Sequence, residues 1–190
     1  KILVAWNALL IEGMINAYRV SENIKYIDSE KNSFNFIREK MWSNEQLYAC
    51  YHDKEYFEAY LDDYAFLSKA CIELLKIEWS NTNFDFLVKL TDTLINDFQD
   101  KDNGGFYFTS KNHEDLIYRP KSYMDESLPS GNSIALDVLM EMYELTGQKK
   151  YIEAVEKSIT SAHDSLTRST GAHCSLLVAA PKTNTYKRLI

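Results

Sequence analysis

Apolar side chains return every three or four positions through most of this chain, and the polar gaps between those runs are short. From Trp6 to Val20, the positions Leu9, Leu10, Gly13, Met14, Ala17 and Tyr18 predict a helix with one buried face. A second helix follows from Tyr26 to Trp42 through Phe34, Ile37 and Met41, weakened by a polar middle. Leu47 to Tyr51 alternates instead, which predicts a short extended piece. The third helix covers about Asp62 to Trp79, with Ala65, Phe66, Ala70, Leu74 and Ile77 along it; its acidic start suits the helix dipole, and Asp62 reads as a helix cap. The fourth runs from Asn83 to Phe98 and stops at a DKDNGG stretch, where Asn103-Gly104 is a strong turn signal. Phe106 to Thr109 reads as a strand of a short β-hairpin in the loop before the fifth helix. That helix spans Ser133 to Leu145 and closes at Gly147. The sixth covers Lys150 to Leu166 and ends near Gly171, and a seventh begins at His173 and is cut short by Pro181.

The helices come in pairs. WNALLIEGMINAYRV, DYAFLSKACIELLKI and GNSIALDVLMEMYEL are the more apolar members, and each is followed by a more charged helix. The unit is an αα-hairpin of roughly sixty residues with its loop, a spacing of stacked helical repeats. The apolar helix of each pair faces inward and its partner lies outside with one wetted face. The pattern therefore predicts an all-α, double-layered arc or ring of hairpins in a single domain.

Composition narrows the function classes. A net charge of −7 with no basic cluster argues against a nucleic-acid partner. No apolar run approaches the roughly 20 residues of a membrane span. Cys50, Cys71 and Cys174 show no CxxC spacing and read as reduced thiols of a cytoplasmic protein, and four scattered His residues offer no zinc pattern. His113, His163 and His173 read as solvent-facing. The chain opens on Lys1 with no leader pattern, which reads as a piece or a processed form. Neither a metal nor a cofactor is expected. Half of the Gly residues and two of the three Pro residues fall between Asp102 and Ser133, in a dense polar loop of the kind that carries sites on rigid scaffolds. Gly104-Gly105 has no phosphate-loop context, and Ser130 has no nucleophile elbow around it.

The segments KILVAWNALLIEGM, YLDDYAFL, DNGGFYFT, YRPK and MDESLPSGNS occur in this order from Lys1 onward. They resemble the family of thioredoxin-domain-containing proteins that includes the spermatogenesis-associated thioredoxin-like proteins, and the likeness runs to about Leu166. It implies an (α/α)6 toroid similar to six-hairpin glycosidases and N-acylglucosamine 2-epimerases. The thioredoxin-like domain that precedes the toroid in that family is absent from this chain, so no redox role carries over. About three of six hairpins are present, and the expected partner is the rest of the ring or a second copy.

In such a toroid the inner-helix starts converge on one cleft, which here collects Trp6, Asn7, Asp63, Tyr64, Arg119, Lys121, Asp125, Ser130 and Asn132. Asp63 and Asp125 are the candidate acid–base pair, since glycoside hydrolysis uses two carboxylates and epimerisation a proton donor and acceptor. Asp125 reads equally as a brace for Arg119. Arg119 is the anion clamp, Trp6 a stacking platform or a core residue, and Lys121 a binder or a solvated charge. Asn7, Tyr64, Ser130 and Asn132 are candidate partners of ligand hydroxyls, with Ser130 alternatively a helix cap. The expectation is a carbohydrate-related toroid that binds or processes a sugar, glycosidase- or epimerase-like if active. The alternative is a non-catalytic helical scaffold.

Overall fold

The structure is a computed structural model that describes residues 1–113 and 117–180, without the side chains of residues 55 and 56. It divides into two compact units, one of residues 1–90 and one beginning at Thr91.

In the first unit, α1 (Val4–Ser21) packs against both α2 (Ile24–Lys40) and α3 (Leu61–Ile77), and α4 (Asn81–Thr93) begins at its end. Val4, Ala8, Ile11 and Ile15 form the buried face of α1. The helix lies where the sequence predicts it, but the face read as buried does not: Leu10 and Gly13 are exposed, and Leu9, Met14, Ala17 and Tyr18 are half-buried, because α1 is apolar on two sides and its neighbours α2 and α3 cover the other one. Glu22 adopts a left-handed conformation, and its N–H closes α1 on the Tyr18 carbonyl at 2.7 Å. Asn23 then opens α2, its Oδ1 accepting the Lys25 N–H at 3.1 Å. Phe86 of α4 packs edge-on against Phe34 and Trp42. Nearly every position of α3 from Asp63 to Leu75 is buried, as befits an inner helix.

The extended piece predicted at Leu47–Tyr51 is the centre of a small antiparallel sheet. Strands β1 (Ile2–Leu3), β2 (Trp42–Ser43) and β4 (Lys54–Glu58) all pair with β3 (Gln46–His52). Asn44 and Glu45 both take positive φ, the hairpin turn whose twist matches the strands it joins. Two-residue strands such as β1 and β2 carry no alternation to read, and the KEYFE stretch of β4 does not alternate cleanly between apolar and polar, so the sequence shows only the middle strand.

In the second unit the end of α4 widens into a π-type turn over Leu94–Phe98. After the long loop come α5 (Gly131–Thr146), α6 (Lys149–Arg168), a 3-10 turn at Thr170–Ala172 and α7 (Cys174–Ala179). Helix α5 is buried on most sides and packs against α6 and α7, whereas α6 buries one face through Tyr151, Ala154, Val155, Ser158 and Ala162. Gly147 closes α5 in the left-handed conformation. The stop predicted at Pro181 lies outside the described residues. Among the described residues no helix is long and apolar enough to cross a membrane.

Candidate functional site

At the start of α3, Asp63 is buried and both its oxygens are engaged. Oδ1 accepts the N–H of Ala5, in the first turn of α1, at 3.0 Å, and Oδ2 accepts the N–H of Tyr60 at 2.9 Å. One carboxylate thus caps α3 and pins α1 to it, so the capping role falls to Asp63 rather than Asp62. Burial pushes the Asp63 carboxyl up to about 6, against the pull of the two N–H groups, and the neighbouring Asp62 adds to the rise. Asp62 is only half-buried.

Trp6 follows the clamped Ala5 and is 65% exposed, which removes the core reading of that side chain. Asn7 donates from Nδ2 to the Leu3 carbonyl at 2.7 Å and borders a cavity of about 260 Å³ with Asn32, Ser33 and Phe36. Tyr64 is buried, and its hydroxyl accepts the Leu47 N–H at 3.1 Å, tying α3 to β3.

The second unit gathers its polar loop around two internal hubs. The first is Asp100. Its Oδ1 accepts the N–H groups of Asp102 and Asn103 at 3.2 and 2.9 Å; its Oδ2 accepts the Tyr107 hydroxyl at 2.9 Å and Lys121 Nζ at 2.8 Å. Burial alone would raise this carboxyl, but Lys121, the Asn103 N–H and the Tyr107 hydroxyl hold it well below the usual carboxylate range. Lys121 also donates to the Gly104 carbonyl at 2.7 Å, so it is a half-buried, internally bonded partner and not a solvated charge. Arg119 lies over the Tyr107 ring at 4.2 Å and donates to the carbonyls of Thr109 and Asp97; its buried Nε has no partner among the described residues.

The second hub is Asn132, almost wholly buried at the start of α5. Its Oδ1 accepts the Phe106 N–H at 2.7 Å, while Nδ2 donates to the Phe106 carbonyl at 2.8 Å and the Ser122 carbonyl at 2.9 Å. The side-chain amide takes the place of a strand neighbour. The strand predicted over Phe106–Thr109 accordingly reduces to a single antiparallel bridge, Gln99 to Phe106, around the Asn103-Gly104 turn. Ser130 precedes α5 but does not cap it through its side chain; its hydroxyl donates to the Ser122 carbonyl at 3.3 Å.

Asp125 repeats the device of Asp63. Its Oδ1 accepts the Ser130 N–H and its Oδ2 the Ser175 N–H, both at 2.8 Å, joining the starts of α5 and α7. Burial works upward on Asp125, but those N–H groups hold it below its ordinary value. The alternative of a brace for Arg119 is replaced by this backbone clamp. His173, read from sequence as solvent-facing, is fully buried: Nδ1 lies 2.7 Å from the Ser169 carbonyl and Nε2 2.9 Å from the Ser165 hydroxyl. Within their units, then, Trp6, Asn7 and Asp63 group at one pair of helix starts, and Asp125, Ser130 and Asn132 at another. Asp100, Tyr107 and Ser122 were missed; the first was legible as the Asx residue of the DKDNGG turn. Among the described residues no three His, Cys, Asp or Glu side chains are placed to hold a metal ion.

No family model matches the chain. It is 25% identical over 181 residues to human spermatogenesis-associated protein 20, covering 88% of this chain and 23% of that protein. It is also 25% identical over 175 residues to an uncharacterized protein of Caenorhabditis elegans, covering 87% and 24%. The chain thus spans about a quarter of the length of the curated relatives it matches. Among solved structures it is similar to the cellobiose 2-epimerase of Bacillus thermoamylovorans, with a TM-score of 0.70 at 17% identity over 85% of this chain and 45% of that one. The GH76 α-mannanase of Bacteroides thetaiotaomicron gives 0.67 at 16% identity, covering 87% and 46%. An inactive α-1,6-mannanase variant of Salegentibacter, with two consecutive aspartates replaced and α-1,6-mannotriose bound, gives 0.68 at 12% identity, covering 85% and 47%. The fold is that of the (α/α)6 toroids, as the hairpin repeat and the family resemblance imply.

Proposed function

We propose that the chain carries a carbohydrate site at the starts of α1 and α3, where a sugar is bound and processed by acid–base chemistry. The observation behind this reading is an exposed indole, Trp6, on the helix start that Asp63 clamps, beside the consecutive carboxylates Asp62 and Asp63. An indole face suits the apolar face of a sugar ring. A carboxyl raised to about 6 holds a proton into the range where it can act as a general acid, and each Asp63 oxygen keeps a second lone pair beyond its N–H bond. Asp62, more open to solvent, is the second carboxyl group of the site. The reading gains support from the mannanase of this fold that is inactive once two consecutive aspartates are replaced, since Asp62-Asp63 is the consecutive pair in this chain. Asn7 and Tyr64 line the same helix starts. In the second unit, internal bonds engage polar atoms of Arg119, Lys121, Asp125, Ser130 and Asn132, which hold the loop and the helix starts of that unit in place.

Calorimetric titration with α-1,6-mannotriose and with cellobiose tests this. The parent should bind one of them, and Trp6→Ala and Asp62→Asn, both at accessible positions, should each weaken binding at least about tenfold. Equal binding by parent and both variants, or none by the parent, would overturn it. The second reading, a non-catalytic scaffold, draws on the same clamps: the oxygens of Asp63, Asp125 and Asn132 all face internal N–H donors. It expects Asp62→Asn to be silent and Asp63→Asn to change stability alone.

A further inference from the structure

Directly opposite its buried face, α1 presents a second apolar face. Leu10 is 57% exposed and Val20 is 90% exposed, and between them Gly13 is exposed and Ala17 half-exposed. A spacing of three, four and three puts these four on one side of the helix, and no charged side chain shares that line. A Cβ at Gly13 would meet nothing within 4 Å, so the middle of the stripe is open to close approach. A helix apolar on both faces belongs inside a larger assembly than the one that buries only the first.

We propose that a second copy of this chain covers this face, the two α1 helices pairing antiparallel about a two-fold axis level with Ile15. The stripe is palindromic, which is what a self-complementary contact requires. About that axis Leu10 falls opposite the partner's Val20, and Gly13 falls opposite the partner's Ala17. Large residues flank a small centre, so the backbones can approach closely while the ends interlock. A chain with a net charge of −7 repels its own copies over most of its surface, and this uncharged line is a place where two can meet without burying like charges. The stripe offers on the order of 300 Å² of apolar surface per copy. That is less than half of the ~800 Å² per partner of a standard stable interface. The contact is therefore smaller than that of a standard stable dimer. The partner's α1 ends opposite Leu9, so Trp6 lies beyond the paired α1 segments.

The test is sedimentation velocity from about 1 to about 200 µM, with cross-linking of paired cysteines in a Cys174→Ser background. The parent should pass from monomer to dimer across this range, and Leu10→Glu with Val20→Glu should remain monomeric with an unchanged circular dichroism spectrum. Under mild oxidation, an equal mixture of Gly13→Cys and Ala17→Cys chains should give several-fold more disulfide dimer than either chain alone. A parent that stays monomeric throughout would overturn the proposal and leave the stripe to another occupant. A dimer indifferent to the Glu substitutions, or cross-linking no better in the mixture, would overturn it as well.

Discussion

Replacing Glu30 by Met should stabilise the protein, and the gain should grow with pH. Glu30 sits in line with Ile27, Phe34 and Ile37 on the buried face of α2; it is wholly buried, and neither carboxylate oxygen has a hydrogen-bond partner among the described residues. Burial pushes its carboxyl from 4.5 up to about 7, although the charges of Lys31 on its own helix and Arg19 on α1 pull the other way. At about 1.4 kcal/mol per pH unit, that rise corresponds to about 3 kcal/mol of destabilisation when the group is ionised in the fold. Because the folded-state value is raised, this share of stability is present below 4.5 and is lost as pH climbs through 7. Met keeps the volume and removes the charge. Urea unfolding of parent and Glu30→Met at pH 4.5 and pH 8 should therefore give a stability gap about 3 kcal/mol wider at the higher pH. A gap that does not change with pH would refute the reasoning, since it would mean the carboxyl is never ionised at a cost.

Three further outcomes follow from the loop. Gly104 has φ of +79°, and a Cβ there would come within 2.3 Å of the Lys157 backbone oxygen, so Gly104→Ala should cost roughly 2 kcal/mol or more in chemical denaturation. Lys121→Met strands the buried Asp100 carboxylate and should cost about 3–5 kcal/mol near neutral pH. Because Asp100 is depressed in the parent, its contribution is present above the ordinary carboxylate value and fades only in strong acid; the Lys121→Met deficit should shrink when unfolding is measured there. Asn132→Ala leaves the Phe106 N–H and carbonyl without their side-chain partner and should lower stability by about 2–4 kcal/mol, with the Phe106 amide losing its hydrogen-exchange protection.

The helices were legible because apolar side chains recur along them at helical period, and the ends of α1, α3, α5 and α6 fall within a few residues of where that pattern places them; which face is buried was not legible on α1, whose two sides are both apolar. Gly147 was readable for the same local reason, a C-terminal stop that needs positive φ. The sheet was not, because β1 and β2 are two residues long and β1 pairs with residues about fifty positions away. The candidate site shows the same division. That Asp63, Ser130 and Asn132 sit at helix starts, and Asp125 in the loop before one, follows from sequence. That Asp63 and Asp125 each join two helix starts through backbone N–H groups depends on which helices are neighbours, and no local pattern carries that. Polar density in a loop signals ordered structure as readily as it signals a ligand, and Asn132 and Lys121 show how much of it is turned inward.

The most direct test of a sugar site at the α1 and α3 starts is the indole N–H resonance of Trp6, assigned by its loss in Trp6→Ala, followed as α-1,6-mannotriose and cellobiose are added. The account predicts a saturable shift of that signal with one of these sugars, with Trp42 and Trp79 unmoved, and a strongly weakened response in Asp62→Asn. A Trp6 signal that stays in place across both titrations, in a protein whose other resonances show it folded, would contradict it.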